Sequence, residues 1–299
     1  MLLADFIREG TRSLGALYPE REAHSIVLML CEAFLGTRNY THIVEPGTVV
    51  EAGAVPALEA AMSRLLAGEP VQYVTGFSEF CGFRFKVTPD VLIPRPETEL
   101  LVREAVDYLS RLWETRRQGG PMRVLDLCTG SGCIAWSVAL MAPGTEVIGV
   151  DISDAALEVA GAQDPSPGCG DGRVIPPLFI KADVLDTAQD FEHGTFDLIL
   201  SNPPYIMESE RDLMHRNVVD FEPGIALFVR DGDPLVFYRA IAEWSRRFLV
   251  PDGMGIVEIN ERLGDGTAEV FRAAGFAHTA VEKDFFDRNR FVKYSKTAP

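Results

Sequence analysis

Cysteine is scarce in this 299-residue chain, and the five present (Cys31, Cys81, Cys128, Cys133 and Cys169) are scattered and odd in number. None forms a Cys-x-x-Cys pair or sits with histidine at ligand spacing, so neither a disulfide framework nor a metal site is expected. The five histidines (His24, His42, His193, His215 and His278) are equally dispersed, which leaves no histidine pair for acid–base or hydride chemistry. The chain has no run of about 18 uncharged apolar residues, the length a membrane-spanning helix needs. Its opening stretch, MLLADFIREG, carries Asp5, Arg8 and Glu9 among the apolar residues, unlike a signal peptide. Positive charge is in deficit, with 28 Lys and Arg against 44 Asp and Glu for a net −16 at pH 7. Strong direct binding to nucleic acid is therefore not expected, because that grip rests on Lys and Arg neutralising phosphates. These absences point to a reduced, cytoplasmic protein with no membrane contact. Core-forming material, by contrast, is ample: 47% of residues are hydrophobic. That suits one large domain or two smaller ones of about 100–200 residues each.

Periodicity divides the chain. Over residues 1–76, Leu2, Leu3, Phe6, Ile7, then Ile26, Val27, Leu30, Phe34, and Leu58, Met62, Leu65, Leu66 recur at three- and four-residue spacing, with Gly36, Pro46-Gly47 and Gly68 as breaks. This predicts a small helical bundle without a catalytic cluster, suited to docking a partner. Phe83, Phe85 and Val87 then alternate with polar residues as a strand does; Pro89-Asp90 supplies a turn and Val91-Leu92-Ile93 a returning strand. We read residues 77–95 as a β-hairpin linker. From residue 96 to 299, a helix over 97–113 is followed by short apolar strands at 123–127, 146–150, 178–182, 196–201 and 255–259. They alternate with helices at 133–141, 153–162, 234–249 and 267–274, and a strand pair ends the chain around Asp287-Arg288-Asn289. Such alternation predicts an α/β domain with a mostly parallel sheet covered on both faces. The proline- and glycine-rich stretch 163–177 reads as a surface loop.

Chemistry concentrates at two strand ends. Asp126-Leu127-Cys128-Thr129-Gly130-Ser131-Gly132 runs from a strand through a tight turn into a helix. Glycines there let backbone approach a ligand, and the helix start offers unpaired N–H groups. Asp151 ends the next strand, where a carboxylate can accept two ribose hydroxyls. Asp183, followed by Val184, ends the third strand and can accept from an adenine amino group. A nucleoside-containing cofactor is implied. Gly130-x-Gly132-x-x-Ala135 also satisfies the dinucleotide fingerprint, so NAD is the competing cofactor. Asp126 weighs against it: a carboxylate ahead of the turn suits the amino group and sulfonium of S-adenosylmethionine better than a pyrophosphate.

The second strand end carries Ser201-Asn202-Pro203-Pro204-Tyr205. Two prolines fix the path of the chain and remove two donors, leaving carbonyls free. The Asn202 side-chain oxygen and the Pro203 carbonyl form a fixed pair of acceptors for both hydrogens of a planar –NH₂ group, while Tyr205 offers a flat face for stacking. Positioning and preorganised acceptors would aim that nitrogen at an electrophilic methyl.

In order along the chain, Pro70-Val71-Gln72-Tyr73-Val74-Thr75-Gly76, Leu92-Ile93-Pro94-Arg95-Pro96-Glu97-Thr98-Glu99, the glycine turn and Ser201-Asn202-Pro203-Pro204-Tyr205-Ile206 resemble the release-factor glutamine methyltransferases (the PrmC/HemK family). The segment from Phe221-Glu222-Pro223 to Leu227-Phe228 is similar to a further family element. Asn-Pro-Pro-Tyr alone is shared with DNA and RNA amine methyltransferases; the Ile-Pro-Arg-Pro-Glu-Thr-Glu segment discriminates. The resemblance implies a Rossmann-like class I methyltransferase domain, with a mostly parallel seven-stranded sheet, behind a small N-terminal helical bundle and a linking β-hairpin. It implies methyl transfer from S-adenosylmethionine, leaving S-adenosylhomocysteine and needing no metal, to the glutamine of the Gly-Gly-Gln loop of class 1 peptide chain release factors. Cofactor contacts carry over to Asp126, Cys128, Thr129, Gly130, Ser131, Gly132, Asp151, Asp183, Val184 and Asn202. Catalytic contacts carry over to Asn202, Pro203 and Tyr205, and substrate contacts to those residues with Pro204, Arg95 and Glu97. Cys128 stands where a glycine is usual, and an ordinary backbone conformation with a packed thiol is expected there. The alternatives are methylation of another protein glutamine, as in a ribosomal protein, or of an exocyclic amine of DNA or RNA. A dinucleotide oxidoreductase and a non-catalytic nucleoside-binding module are the competing classes.

Overall fold

Apolar faces at helical spacing, followed by short β-branched runs, give two units in the computed structural model, which describes residues 1–115, 120–165 and 174–297. One unit comprises Met1–Phe77 and Met214–Phe221; the other comprises Ser78–Leu213 and Glu222–Pro299. No helix among the described residues is long and apolar enough to cross a membrane.

In the first unit, α1 (Leu3–Leu14) buries Leu3, Phe6, Ile7, Gly10 and Leu14 on one stripe, and α2 (Glu20–Leu35) meets it with Ala23, Ile26, Val27, Leu30 and Cys31. A Cβ added at Gly10 would stand 3.1 Å from a Val27 methyl, so these helices pack backbone-close. Next, α3 (Val55–Leu66) adds Leu58, Ala61 and Leu65 to the same core. The short helix Arg216–Phe221 joins the unit from far along the chain, its Phe221 ring lying against Gly68.

The hairpin differs from its sequence-based form. Its strands are β1 (Phe77–Phe80) and β2 (Phe83–Lys86), and Val91-Leu92-Ile93 is not a returning strand. The connection is Cys81-Gly82, with φ of 53° and 79°. Two positive φ values make the two-residue turn whose twist matches paired strands, and cysteine is not among its usual residues, which is why the signal was missed. Phe80 and Phe85 are buried with Leu101, Val102 and Leu109, so the hairpin is anchored in the core of the second unit.

That core is built on a seven-stranded sheet of order β8-β9-β7-β6-β3-β4-β5. The strands are β3 (Arg123–Leu127), β4 (Glu146–Asp151), β5 (Leu178–Lys181), β6 (Phe196–Ser201), β7 (Leu249–Glu258), β8 (His278–Lys283) and β9 (Asn289–Ser295). All run parallel except β9, which is antiparallel to both neighbours. Alternate residues feed opposite faces. Leu125, Leu127, Ile148, Val150, Val257 and Val292 meet α7 (Val236–Phe248) and α8 (Gly264–Ala273). Val124, Val147, Leu198, Leu200, Ile256 and Phe291 meet α4 (Thr98–Thr115) and α5 (Cys133–Met141). Helix α5 is apolar around its circumference because it is buried nearly throughout; α6 (Asp154–Gly161) follows β4. Strand β7 starts at Leu249, six residues earlier than expected, because the chain stays extended through Pro251-Asp252-Gly253 with a register shift opposite Phe196 and Leu198. Within the expected loop 163–177, residues 166–173, Cys169 among them, lie outside the described residues, as does Gly119.

Candidate active site

The strand order reverses between β3 and β6: the chain proceeds from β3 to β4 and β5 on one side, and then crosses to β6 on the other. Ligands in open parallel sheets bind beyond the carboxyl ends of strands at such a point. Leu127 and Ser201 are register partners, and the Ser201 hydroxyl donates to the Leu127 carbonyl at 2.7 Å. Cys128 and Asn202 therefore leave the sheet side by side. They open a crevice of about 1120 Å³, counting its open mouth.

Ten of the expected residues stand on its wall: Arg95, Cys128, Thr129, Gly130, Ser131, Asp151, Asp183, Val184, Asn202 and Pro204. The glycine turn is held from both sides. Thr129 donates its N–H to the Val150 carbonyl at 2.9 Å and its hydroxyl to Asp126 at 2.6 Å. Asp151 accepts from the Gly130 N–H at 2.9 Å and the Ser153 N–H at 3.0 Å. Burial raises the Asp151 carboxyl above the usual carboxylate range despite those bonds. Gly130 has φ of 53°, and a Cβ built there meets nothing within 4 Å. Its open side faces the crevice, a cradle that a side chain would fill.

Five expected site residues lie elsewhere. Asp126 is fully buried behind the turn, where it holds Thr129, and burial lifts its carboxyl to about 7. Gly132 turns away from the crevice: a Cβ there would stand 2.9 Å from the Phe179 ring, so its glycine serves close packing. Glu97 and Pro203 are off the wall, Pro203 being buried. Tyr205 is half-buried, packs against the core, donates its hydroxyl to Glu258 at 3.0 Å and is not on the crevice wall, where a stacking face was expected. Cys128 also departs from expectation. Its φ is 61°, the left-handed conformation of the glycine it replaces, imposed by the turn around it. Its sulfur is packed against the core as expected, and burial holds the thiol well above its ordinary value.

Several wall residues carried no individual chemical signal in the sequence. Asp90, Val91, Leu92 and Pro94 line the crevice from the segment before α4 and Thr98 from its first turn. Of these, Leu92, Pro94 and Thr98 belong to the family segment, whose part from Arg95 to Glu99 was expected to face this crevice. A buried Glu222 fastens this segment, accepting from the Ile93 N–H at 3.1 Å and from the Arg95 guanidinium at 2.6 Å. Ile152, Ala156, Ala182, Leu185 and Phe237 supply an apolar floor. Both this segment and Phe221-Glu222-Pro223 belong to the family resemblance, but nothing in their spacing paired them.

The electrostatics discriminate between the two cofactors. The wall carries Asp90, Asp151 and Asp183, and its Arg95 is already paired with Glu222. A net acidic wall suits a ligand bearing a sulfonium and an ammonium and opposes a pyrophosphate. Together with the open cradle at Gly130, the donor set fits S-adenosylmethionine. Among the described residues, no group of three or more His, Cys, Asp or Glu is arranged to hold a metal ion.

Comparison with known proteins places the chain in a family. Residues 5–76 match the PrmC N-terminal domain and residues 102–220 the methyltransferase small domain. A release factor glutamine methyltransferase of Flavobacterium psychrophilum is 33% identical over 98% of this chain and 99% of its own. The chain belongs to the release factor glutamine methyltransferase family. The family relative from Bacteroides thetaiotaomicron is 37% identical over 94% of this chain and 95% of its own. A solved family structure, the release factor-specific protein-(glutamine-N5) methyltransferase of Alicyclobacillus acidocaldarius, is 30% identical, covering 70% of this chain and 98% of that one with a TM-score of 0.40.

Proposed function

We propose that the enzyme transfers a methyl group from S-adenosylmethionine to the side-chain amide nitrogen of the glutamine in the Gly-Gly-Gln loop of class 1 peptide chain release factors. The observation that carries this reading is the state of Asn202. Its Nδ2 donates to the Thr98 hydroxyl at 3.3 Å, and among the described residues no donor reaches its Oδ1. Asn202 lines the crevice, so a carbonyl oxygen stands ready there as an acceptor. Pro203 itself is buried off the crevice wall, but its carbonyl, next in the chain after Asn202, takes no hydrogen bond among the described residues. These two oxygens are suited to accept both N–H groups of a planar carboxamide, which raises electron density on its nitrogen and fixes its direction of approach.

The bound S-adenosylmethionine supplies a sulfonium methyl and leaves as S-adenosylhomocysteine. The chain supplies orientation. Asp151 offers its remaining lone pairs to ribose hydroxyls, Asp183 and Val184 take the base end, and the glycine turn fits the amino-acid end. As the new N–C bond forms, the amide nitrogen becomes acidic and releases its proton to water, so no strong base is required. Thr98, Asn202 and Pro203 do not move a proton; they hold one geometry. We assign docking of the release factor to the helical unit, and place the enzyme in the cytoplasm with its translational substrate.

The test is mass spectrometry of a release factor co-expressed with this enzyme. One added methyl on the Gly-Gly-Gln glutamine is expected, with none on duplex DNA or ribosomal RNA incubated in parallel with the purified enzyme. An unmodified release factor, or methylation of either nucleic acid instead, overturns the reading.

A further inference from the structure

A buried carboxylate that no step above uses stands behind the Asn-Pro-Pro-Tyr element. Glu258 ends β7, the strand beside β6, and is 1% exposed. Its two oxygens serve different partners: Oε2 accepts from the Thr98 hydroxyl at 2.7 Å and Oε1 from the Tyr205 hydroxyl at 3.0 Å. A carboxylate has no proton to give, so both neighbours are forced to donate. Thr98 has a single hydroxyl proton. Once that proton is committed to Glu258, only its lone pairs remain, and they can receive only a donor. The Asn202 amide accordingly turns its NH₂ toward Thr98. Its oxygen is left for the crevice.

We propose that Glu258 is a positioning residue that fixes the polarity of the catalytic element, acting on Asn202 through Thr98 and on Tyr205 directly. The proposal rests on the methyl-transfer reading above, and it deepens it by explaining why the acceptor faces the substrate. Without this relay the two ends of the Asn202 amide would be nearly equivalent in shape, and an NH₂ pointing into the crevice would repel the N–H groups it must bind. The relay joins residues 160 and 53 positions apart in sequence, which ties α4, β6 and β7 into one support. Burial raises the Glu258 carboxyl above its ordinary value, and Glu97 adds to the rise; the hydrogen bonds from Thr98 and Tyr205 and the charge of Arg290 hold it down.

Three variants test the idea. In Glu258→Gln, the amide can accept from only one of the two hydroxyls. We expect kcat to fall roughly 10- to 100-fold, the scale seen when a support behind a reacting group is removed, with KM for both substrates within about threefold. Thr98→Val, which keeps the shape and removes the hydroxyl, should give a similar loss, and Thr98→Ser should restore most of kcat. Wild-type kcat in Thr98→Val, or an equal loss in Thr98→Ser, overturns the proposal even if Glu258→Gln fails to fold. A second readout needs no protein substrate: the side-chain amide NMR signal of Asn202, assigned by its absence in Asn202→Asp. With cofactor bound, this signal should shift in Thr98→Val and return in Thr98→Ser. An unshifted signal overturns the relay, whereas a wild-type enzyme that leaves the release factor unmethylated overturns the functional reading alone.

Discussion

Two glycines of one turn should fail in opposite ways when given a methyl group. Gly130 has φ of 53° and Gly132 φ of 77°, so alanine at either carries left-handed strain of about 1–2 kcal/mol. There the likeness ends. The new methyl at Gly130 meets nothing within 4 Å, so strain is its whole cost to the folded protein. At Gly132 the methyl would stand 2.9 Å from the Phe179 ring and 3.0 Å from the Ala160 Cβ. Overpacking of that kind adds about 1–3 kcal/mol, for a total of roughly 2–5 kcal/mol. Thermal unfolding separates the two, since a domain of this size loses about 2–4 °C per kcal/mol. Cofactor affinity should reverse the ranking. In Gly130→Ala the methyl fills the cradle, and the same overpacking cost now falls on the bound state, weakening S-adenosylmethionine roughly 5- to 150-fold by calorimetry. Gly132→Ala, measured well below its melting temperature, should bind within about threefold of wild type. Undiminished affinity in Gly130→Ala would refute the placement of the cofactor against this turn.

Other consequences follow from the same contacts. Asn202→Ala should abolish methyl transfer while leaving S-adenosylmethionine affinity within a few-fold in calorimetry, because Asn202 holds the acceptor rather than the cofactor. Asp126 has its carboxyl raised to about 7 in the folded protein against an ordinary 3.8, so the native state holds that proton more tightly than the unfolded chain. Its contribution to stability is complete below about pH 4 and is lost as pH rises through about 7. Asp126→Asn should flatten that part of a chemical-denaturation profile, and an unchanged profile would assign the dependence to another group. Glu222→Ala leaves the Ile93 N–H and Arg95 without their partner and should cost about 1–3 kcal/mol in urea unfolding. Its kcat should fall as well, because the segment carrying Thr98 loses its fastening.

The most legible parts of the site were those in which one short segment carries its own geometric reason. Asn202-Pro203-Pro204-Tyr205 announces a rigid strand end because proline cannot do otherwise, and the parallel sheet follows from short apolar runs separated by helices. What stayed hidden was pairing over distance. Nothing local tells Thr98 from any other helix-start threonine until β7 brings Glu258 to 2.7 Å. Glu222 is as silent until Arg95 arrives from 127 positions away. The errors also have causes. Asp126 looked like a cofactor ligand because a strand shows two faces in sequence but not which one is covered, and its face is covered completely. Cys128 was expected to keep an ordinary backbone since side chains resist positive φ, and nothing in the sequence marked Cys81 as a turn residue. Yet each sits in a turn whose closure demands that conformation, and tertiary contacts outweigh a local preference of about 1–2 kcal/mol.

The helical unit is discontinuous along the chain, and this limits how the protein can be taken apart. Its last helix is encoded after the Asn-Pro-Pro-Tyr element, so severing the polypeptide behind Phe77 yields a fragment stripped of Arg216–Phe221 and of the ring that covers Gly68. A chimera that borrows a relative's amino-terminal helices must therefore import the short distal helix too, or leave a mismatched seam where the two ancestries meet.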